Sequence, residues 1–161
     1  LLELFRFMIG NTDLSAFFKE DDRPECCNNT KPIGAIGNGP VFSVPYDFDI
    51  TGVVSTRYAN RLFRDNLERM GLRSVRDRLY KGRCASQPYL ERTFNVFNEN
   101  RESLYALYRD QAGLDEDILE KSLEYLDEFY EIINKENPSV IKALEVLGTF
   151  DLYQALLQDT K

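Results

Sequence analysis

Residues 115–134 have the sequence DEDILEKSLEYLDEFYEIIN, and this stretch decides the fold class. Its apolar residues recur every three or four positions, as they do along one face of an α-helix. Its first turn is acidic, which suits the positive end of the helix dipole. The clearest helix of the chain is therefore predicted here. The side chains predicted to face the core are Ile118, Leu119, Leu123, Leu126, Phe129, Tyr130 and Ile133.

Other helical patterns lie on both sides of this segment. Residues 1–9 are almost continuously apolar, which favours a buried helix that ends at Gly10. Residues 89–109 predict a helix with a central break, and a last helix is predicted to begin near residue 138. Residues 57–70 predict an amphipathic helix. Its predicted buried stripe consists of Tyr58, Leu62, Phe63, Leu67 and Met70.

One short stretch predicts strands instead of helix. Between residues 30 and 47, two runs of β-branched and aromatic residues flank the sequence GNGP at 37–40. A Gly-Asn-Gly turn between such runs is a good hairpin signal. Pro40 and Pro45 limit the hairpin to short or edge strands, because proline cannot donate a backbone hydrogen bond. The sequence therefore predicts a mainly α fold with one small β-hairpin, an α+β protein.

Acidic and amide side chains lie before and after the predicted hairpin. Asp13 and Asn29 precede it, and Asp47 and Asp49 follow it. Phosphoryl transfer from a magnesium nucleotide requires a carboxylate to orient the accepting hydroxyl. It also requires an amide oxygen and a second carboxylate to hold the metal. The order Asp, Asn, Asp is that of a kinase catalytic loop followed by its metal-binding Asp-Phe segment. Each residue type is also common in turns, so the prediction depends on the ordered set.

Five segments are informative as a set: FMIGNTD at 7–13, CCNNTK at 26–31, VPYDFDITG at 44–52, GLRSVRDRLYKG at 71–82 and YLDEFY at 125–130. Together they resemble the C-terminal half of a family of uncharacterised bacterial proteins. That family is similar, more distantly, to the spore-coat-type atypical protein kinases. Its usual motif has His before the Asn, whereas Asn28 occupies that position in this chain.

The resemblance implies that residues 1–161 form a single kinase-like C-terminal lobe, the helical lobe of an atypical protein-kinase-like fold. Residues 1–56 would be its catalytic-loop and metal-binding segment, and residues 57–161 its helical subdomain. The corresponding N-terminal lobe is expected upstream of Leu1. Members of the family are typically exported, so a periplasmic or secreted location is expected.

The implied activity is magnesium-dependent phosphoryl transfer from ATP to an unknown acceptor. Asp13 would be the base or orienting carboxylate, and Asn29 and Asp47 would bind Mg²⁺. Asp49 would support these ligands or bind a second metal ion. Two alternatives remain open. One is a non-catalytic, pseudokinase-like binding or scaffold module, and the other is a metal-dependent hydrolase that uses the same acids.

Composition argues against several other classes of protein. A net charge of −7 argues against a nucleic-acid or anionic-membrane surface. No apolar run approaches the roughly 18 residues that a membrane-spanning helix needs. Histidine is absent, which removes Ser-His and Cys-His nucleophiles and most zinc sites.

A basic cluster contrasts with the acidic composition of the chain. It contains Arg73, Arg76 and Arg78, and Lys81 and Arg83 extend it. Ion pairing with the acidic helices is one explanation. The other explanation is that the cluster binds a substrate phosphate or carboxylate, because the planar guanidinium group can donate two parallel hydrogen bonds to such a group.

The three cysteines are Cys26, Cys27 and Cys84. They can be small buried apolar residues, or two of them can form a disulfide, which needs an oxidising compartment. The resemblance to an exported family favours the disulfide. Because adjacent cysteines would close a strained ring, the predicted bridge joins Cys84 to either Cys26 or Cys27.

Overall fold

Helices and one β-hairpin make up the described part of the chain. The computed structural model describes residues 1–12, 29–34, 37, 39–56, 58–62, 64–80, 82 and 84–135. The elements in chain order are α1 (Leu2–Ile9), β1 (Thr30–Gly34), β2 (Val41–Pro45), α2 (Ala59–Leu62), α3 (Arg64–Arg69), a 3₁₀ helix (Cys84–Tyr89), α4 (Leu90–Glu99), α5 (Arg101–Arg109) and α6 (Glu116–Ile133). The structure confirms a mainly helical protein with a small two-stranded antiparallel sheet.

Helix α6 lies at the centre of the core. Asp115 caps its first turn, because the carboxylate accepts hydrogen bonds from the backbone N–H groups of Asp117 and Ile118. Phe129 of α6 is fully buried, and its ring centroid lies 5.4 Å from that of Phe97 and 6.2 Å from that of Phe7. The other buried residues of this cluster are Leu4, Met8, Ile9, Val53, Tyr80, Leu90, Tyr105, Tyr125, Leu126, Tyr130 and Ile133.

The end of α1 is tied to the segment that follows the hairpin. Gly10 ends the helix in the left-handed conformation at φ 66°, as the sequence predicts. Its carbonyl accepts a hydrogen bond from the N–H of Gly52 at 3.1 Å, and Asn11 forms an antiparallel bridge with Thr51. This short pairing fixes residues 51–53 against α1.

The hairpin is closed by a regular antiparallel register. Thr30 pairs with Pro45 and Ile33 with Phe42, and the N–H of Tyr46 donates to the Asn29 carbonyl at 3.0 Å. Hydrogen-bonded and non-hydrogen-bonded pairs alternate along such a ladder. That alternation places the prolines within the two strands, Pro32 and Pro45, where a backbone N–H would point outward. Each outer edge therefore lacks one donor for a further strand.

The helix predicted over residues 57–70 is wrong in its boundaries and in part of its buried stripe. The structure has two short helices, α2 and α3, and Tyr58 and Leu62 are exposed. Leu67 is buried as predicted, and it clusters with Ala59 and Val75, while Met70 packs against them. Phe63 lies outside the described residues. The Asn60 side chain accepts a hydrogen bond from the Val75 N–H at 2.9 Å, which links α2 to the segment that contains Val75.

Two other helix boundaries can be compared with the sequence. The predicted break within residues 89–109 is confirmed, since α4 ends at Glu99 and α5 begins at Arg101. The helix predicted to begin near residue 138 lies outside the described residues. Within the described ranges, no helix is long and apolar enough to cross a bilayer.

Candidate functional site

The hairpin brings two of the predicted site residues to its open end. Asn29 directly precedes β1, and Asp47 is the second residue after β2, so the register places both near the Thr30–Pro45 pair. Both have left-handed backbones, with φ values of 52° for Asn29 and 62° for Asp47. Asn and Asp tolerate this conformation better than other non-glycine residues. The convergence of these two residues therefore follows from local turn chemistry.

Asp49 is held by a tyrosine that the sequence analysis did not assign to the site. The hydroxyl of Tyr58 donates to Oδ2 of Asp49 at 2.6 Å, and the Thr56 hydroxyl donates to the Asp49 carbonyl at 3.1 Å. The Tyr58 hydrogen bond is the main cause of a lowered pKa of Asp49. Partial burial opposes this effect, and a hydrogen bond with the Asp47 side chain adds to it. The two carboxyl groups are therefore neighbours on the protein surface.

An aromatic contact anchors this acidic segment to the core. Phe48, between the two acids, meets Phe5 of α1 edge-on, with ring centroids 5.9 Å apart. The hydroxyl of Thr51 donates to the Phe48 carbonyl at 2.9 Å. The backbone that carries Asp47 and Asp49 is thus fixed at two points.

Asp13 lies outside the described residues. Thr12, which precedes it, is buried, and Asn11 is paired with Thr51. The role of Asp13 as base or orienting carboxylate stays a prediction.

The predicted metal ligands of the site are all oxygen donors. In the part of the chain that the structure describes, no three or more His, Cys, Asp and Glu side chains are grouped as metal ligands. Asn29, Asp47 and Asp49 would supply one amide oxygen and two carboxylates. Magnesium is usually held by one or two carboxylates, with water and substrate phosphates completing its shell.

The three arginines of the basic cluster have different environments. Arg73 is almost fully exposed and lies 3.6 Å from the Asp77 carboxylate. The guanidinium carbon of Arg78 lies 3.6 Å from the ring centroid of Tyr125, and its Nη1 donates to Glu128 at 2.8 Å. Arg76 lies over the same ring at 4.8 Å. Ion pairing with an acidic helix is therefore seen for Arg78, and phosphate binding by Arg73, Arg76 and Arg78 stays a prediction.

Cys26 and Cys27 lie outside the described residues, so the predicted bridge to Cys84 stays a prediction. Thiol titration of the denatured, unreduced protein should find one free thiol, and the reduced protein should show three. The bridge would close a loop of nearly sixty residues and add about 4 kcal/mol of stability by chain entropy. Three free thiols before reduction would rule the bridge out.

No protein-family model, curated protein or solved structure matches the chain.

Proposed function

We propose that the chain is the helical lobe of a magnesium-dependent, ATP-using phosphotransferase, with its metal site at the open end of the hairpin. The observation that carries this proposal is the placement of Asn29 and Asp47 at that end, with the Asp49 carboxyl beside Asp47. An amide and two carboxylates are hard oxygen ligands. Bound Mg²⁺ would neutralise charge on the β- and γ-phosphates of ATP during transfer.

The fixed orientation of Asp49 supports the same proposal. Its Oδ2 accepts the hydrogen bond of the Tyr58 hydroxyl, and backbone hydrogen bonds at Asp49 and Ile50 also act on this carboxyl group. A carboxylate held in one orientation loses less side-chain entropy when it binds a metal. Tyr58 is thus suited to position Asp49 without touching the metal itself.

The link between α1 and residues 51–53 is a second support. The Asn11–Thr51 bridge joins the segment that ends just before Asp13 to the segment that begins just after Asp49. The predicted base and the predicted metal ligands are therefore connected through one short pairing.

The test uses Mn²⁺ as a paramagnetic substitute for Mg²⁺, with and without ATP. NMR signals of Asn29, Asp47 and Asp49 should broaden first, and excess Mg²⁺ should reverse the broadening. Asp47→Asn should weaken Mn²⁺ binding by more than about tenfold, because it removes a charged ligand. Asp110→Asn, at an exposed position after α5, is the matched control and should leave Mn²⁺ binding unchanged. Broadening that is equal in both variants would contradict the proposed site.

A non-catalytic interaction module is the second candidate, favoured by the outer face of the hairpin. Lys31 and Val44 pair on this face next to Ile33 and Phe42, and all but Lys31 are apolar. Ile33 and Phe42 are 56% and 64% exposed. Exposed apolar patches often mark contacts with other proteins. A folded protein that binds neither Mn²⁺ nor MgATP would favour this second function.

A further inference from the structure

Lys31 is the only basic residue between Asn29 and Thr56, the stretch that contains the hairpin and the predicted metal ligands. It lies on β1, opposite Val44 of β2. Its Nζ lies 5.0 Å from the centroid of the Tyr46 ring. Tyr46 lies at the open end of the hairpin, where its N–H donates to the Asn29 carbonyl. The Lys31 side chain is therefore directed towards the open end and away from the turn.

The register of the hairpin places Lys31 and Tyr46 on one face. Side chains two residues apart along a strand point to the same face, so Tyr46 shares the face of Val44, the partner of Lys31. Diagonal neighbours on such a face lie about 7 to 8 Å apart, which long side chains can span. Asp47 directly follows Tyr46. A phosphate group held by a metal ion at the open end would thus lie within reach of the Lys31 ammonium group.

The predicted metal site needs a further positive charge to hold a polyphosphate. Asp47 and Asp49 bring two formal negative charges, which one Mg²⁺ ion only offsets, and Asn29 is neutral. Lys31 is exposed, and no carboxylate of the described residues lies within ion-pair distance of its ammonium group. Its charge is therefore available to an anionic ligand at short range, where the attraction is strongest.

We propose that Lys31 binds a phosphate group of the substrate, and that the site accepts a polyphosphate chain such as that of a nucleoside triphosphate. This inference rests on the proposed metal site at the open end of the hairpin. The lysine ammonium group is a compact charge with three donors, a common phosphate ligand in proteins. The face of the Tyr46 ring attracts the ammonium group and keeps it at this end.

The test is an NMR titration of the full chain with inorganic tripolyphosphate, with and without Mg²⁺. This probe has the phosphate chain but no base or sugar, so it reports on the phosphate contacts alone. Lys31→Met should weaken its binding at least about tenfold, because a charge-assisted hydrogen bond is lost. Lys31→Arg keeps the charge and should stay within about threefold of the natural chain. Lys121→Met, exposed on α6, is the matched control and should leave the titration unchanged.

Two results would overturn the proposal. One is equal affinity of the natural chain and the Lys31→Met protein for tripolyphosphate. The other is a natural chain that does not bind tripolyphosphate with Mg²⁺ present. Because Lys31 is exposed, its replacement should leave the NMR spectrum of the core unchanged, and Lys31→Arg tests the charge without removing it.

Mn²⁺ binding without phosphate separates this inference from the proposed metal site. The Lys31→Met protein should bind Mn²⁺ as the natural chain does, since the ammonium group is not a metal ligand. Mn²⁺ binding together with tripolyphosphate binding that does not depend on Lys31 would contradict the role of Lys31 and retain the metal site. Tripolyphosphate binding that depends on Lys31 in a chain that binds no Mn²⁺ would support Lys31 and contradict the metal site.

Discussion

Gly52→Ala should lower the free energy of unfolding by about 3 kcal/mol, the upper range for overpacking a filled core. A Cβ at this position would overlap the hydroxyl of Tyr125 and lie 2.6 Å from its Cζ and 2.8 Å from the Val75 carbonyl oxygen. Tyr125 has no exposed surface, and its hydroxyl donates to the Arg76 carbonyl at 3.0 Å. The ring therefore has no room to move away from the added methyl group.

Urea unfolding measures the effect, and Gly113→Ala provides the control. Gly113 has a positive φ of 80° but no atom within 4 Å of an added Cβ. Its replacement should cost only the backbone strain of about 1 kcal/mol. A loss no larger for Gly52→Ala than for Gly113→Ala would show that Tyr125 does not lie against Gly52. Adding Tyr125→Phe to Gly52→Ala should recover part of the loss, because one of the overlapping atoms is removed.

The role of Tyr125 shows where sequence periodicity reaches its limit. The pattern predicts the helix and the burial of Leu126, Phe129 and Ile133, all of which the structure confirms. It also places Ile118 in the core, where the structure leaves it 51% exposed, and it omits Tyr125. A helical period identifies which face of a helix is buried, but not which residues that face packs against. Tyr125 is buried because two glycines, far away in sequence, leave room for its ring.

Features fixed by neighbouring residues are predicted better than features fixed by distant ones. The cap at Asp115, the left-handed Gly10 and the hairpin depend on a few adjacent residues, and the structure has all three. The predicted burial of Tyr58 is wrong, since its side chain is exposed and its hydroxyl donates to Asp49, nine residues away in sequence. Neither a period of two nor one of 3.6 encodes such a contact.

The same distinction applies to the candidate site. Asn29 and Asp47 come together because the turn sets the register of the hairpin, so the sequence alone suggests their proximity. The Asp49–Tyr58 contact depends on the path of residues 50–56, for which the sequence has no regular pattern.

Arg78→Met should lower the free energy of unfolding by about 2 kcal/mol, because it removes a charged hydrogen bond and a cation–π contact. The Arg78 side chain is only 7% exposed. Its guanidinium covers the Tyr125 ring, and Nη2 donates to the Tyr125 carbonyl while Nη1 pairs with Glu128. Methionine retains the apolar stem of the side chain, so the loss of stability measures the contribution of the guanidinium group.

Arg73→Met is the matched control, five residues away in the same segment. The Arg73 side chain is 93% exposed, so its ion pair with Asp77 is screened by solvent on the arginine side and the change in the free energy of unfolding should stay within about 0.5 kcal/mol. Arg78→Lys keeps the charge but loses the planar guanidinium. Its loss of stability should therefore lie between those of Arg78→Met and Arg73→Met. Equal losses at the two positions in urea unfolding would mean that Arg78 does not hold α6. Both arginines would then be free for the phosphate binding that the sequence also predicts.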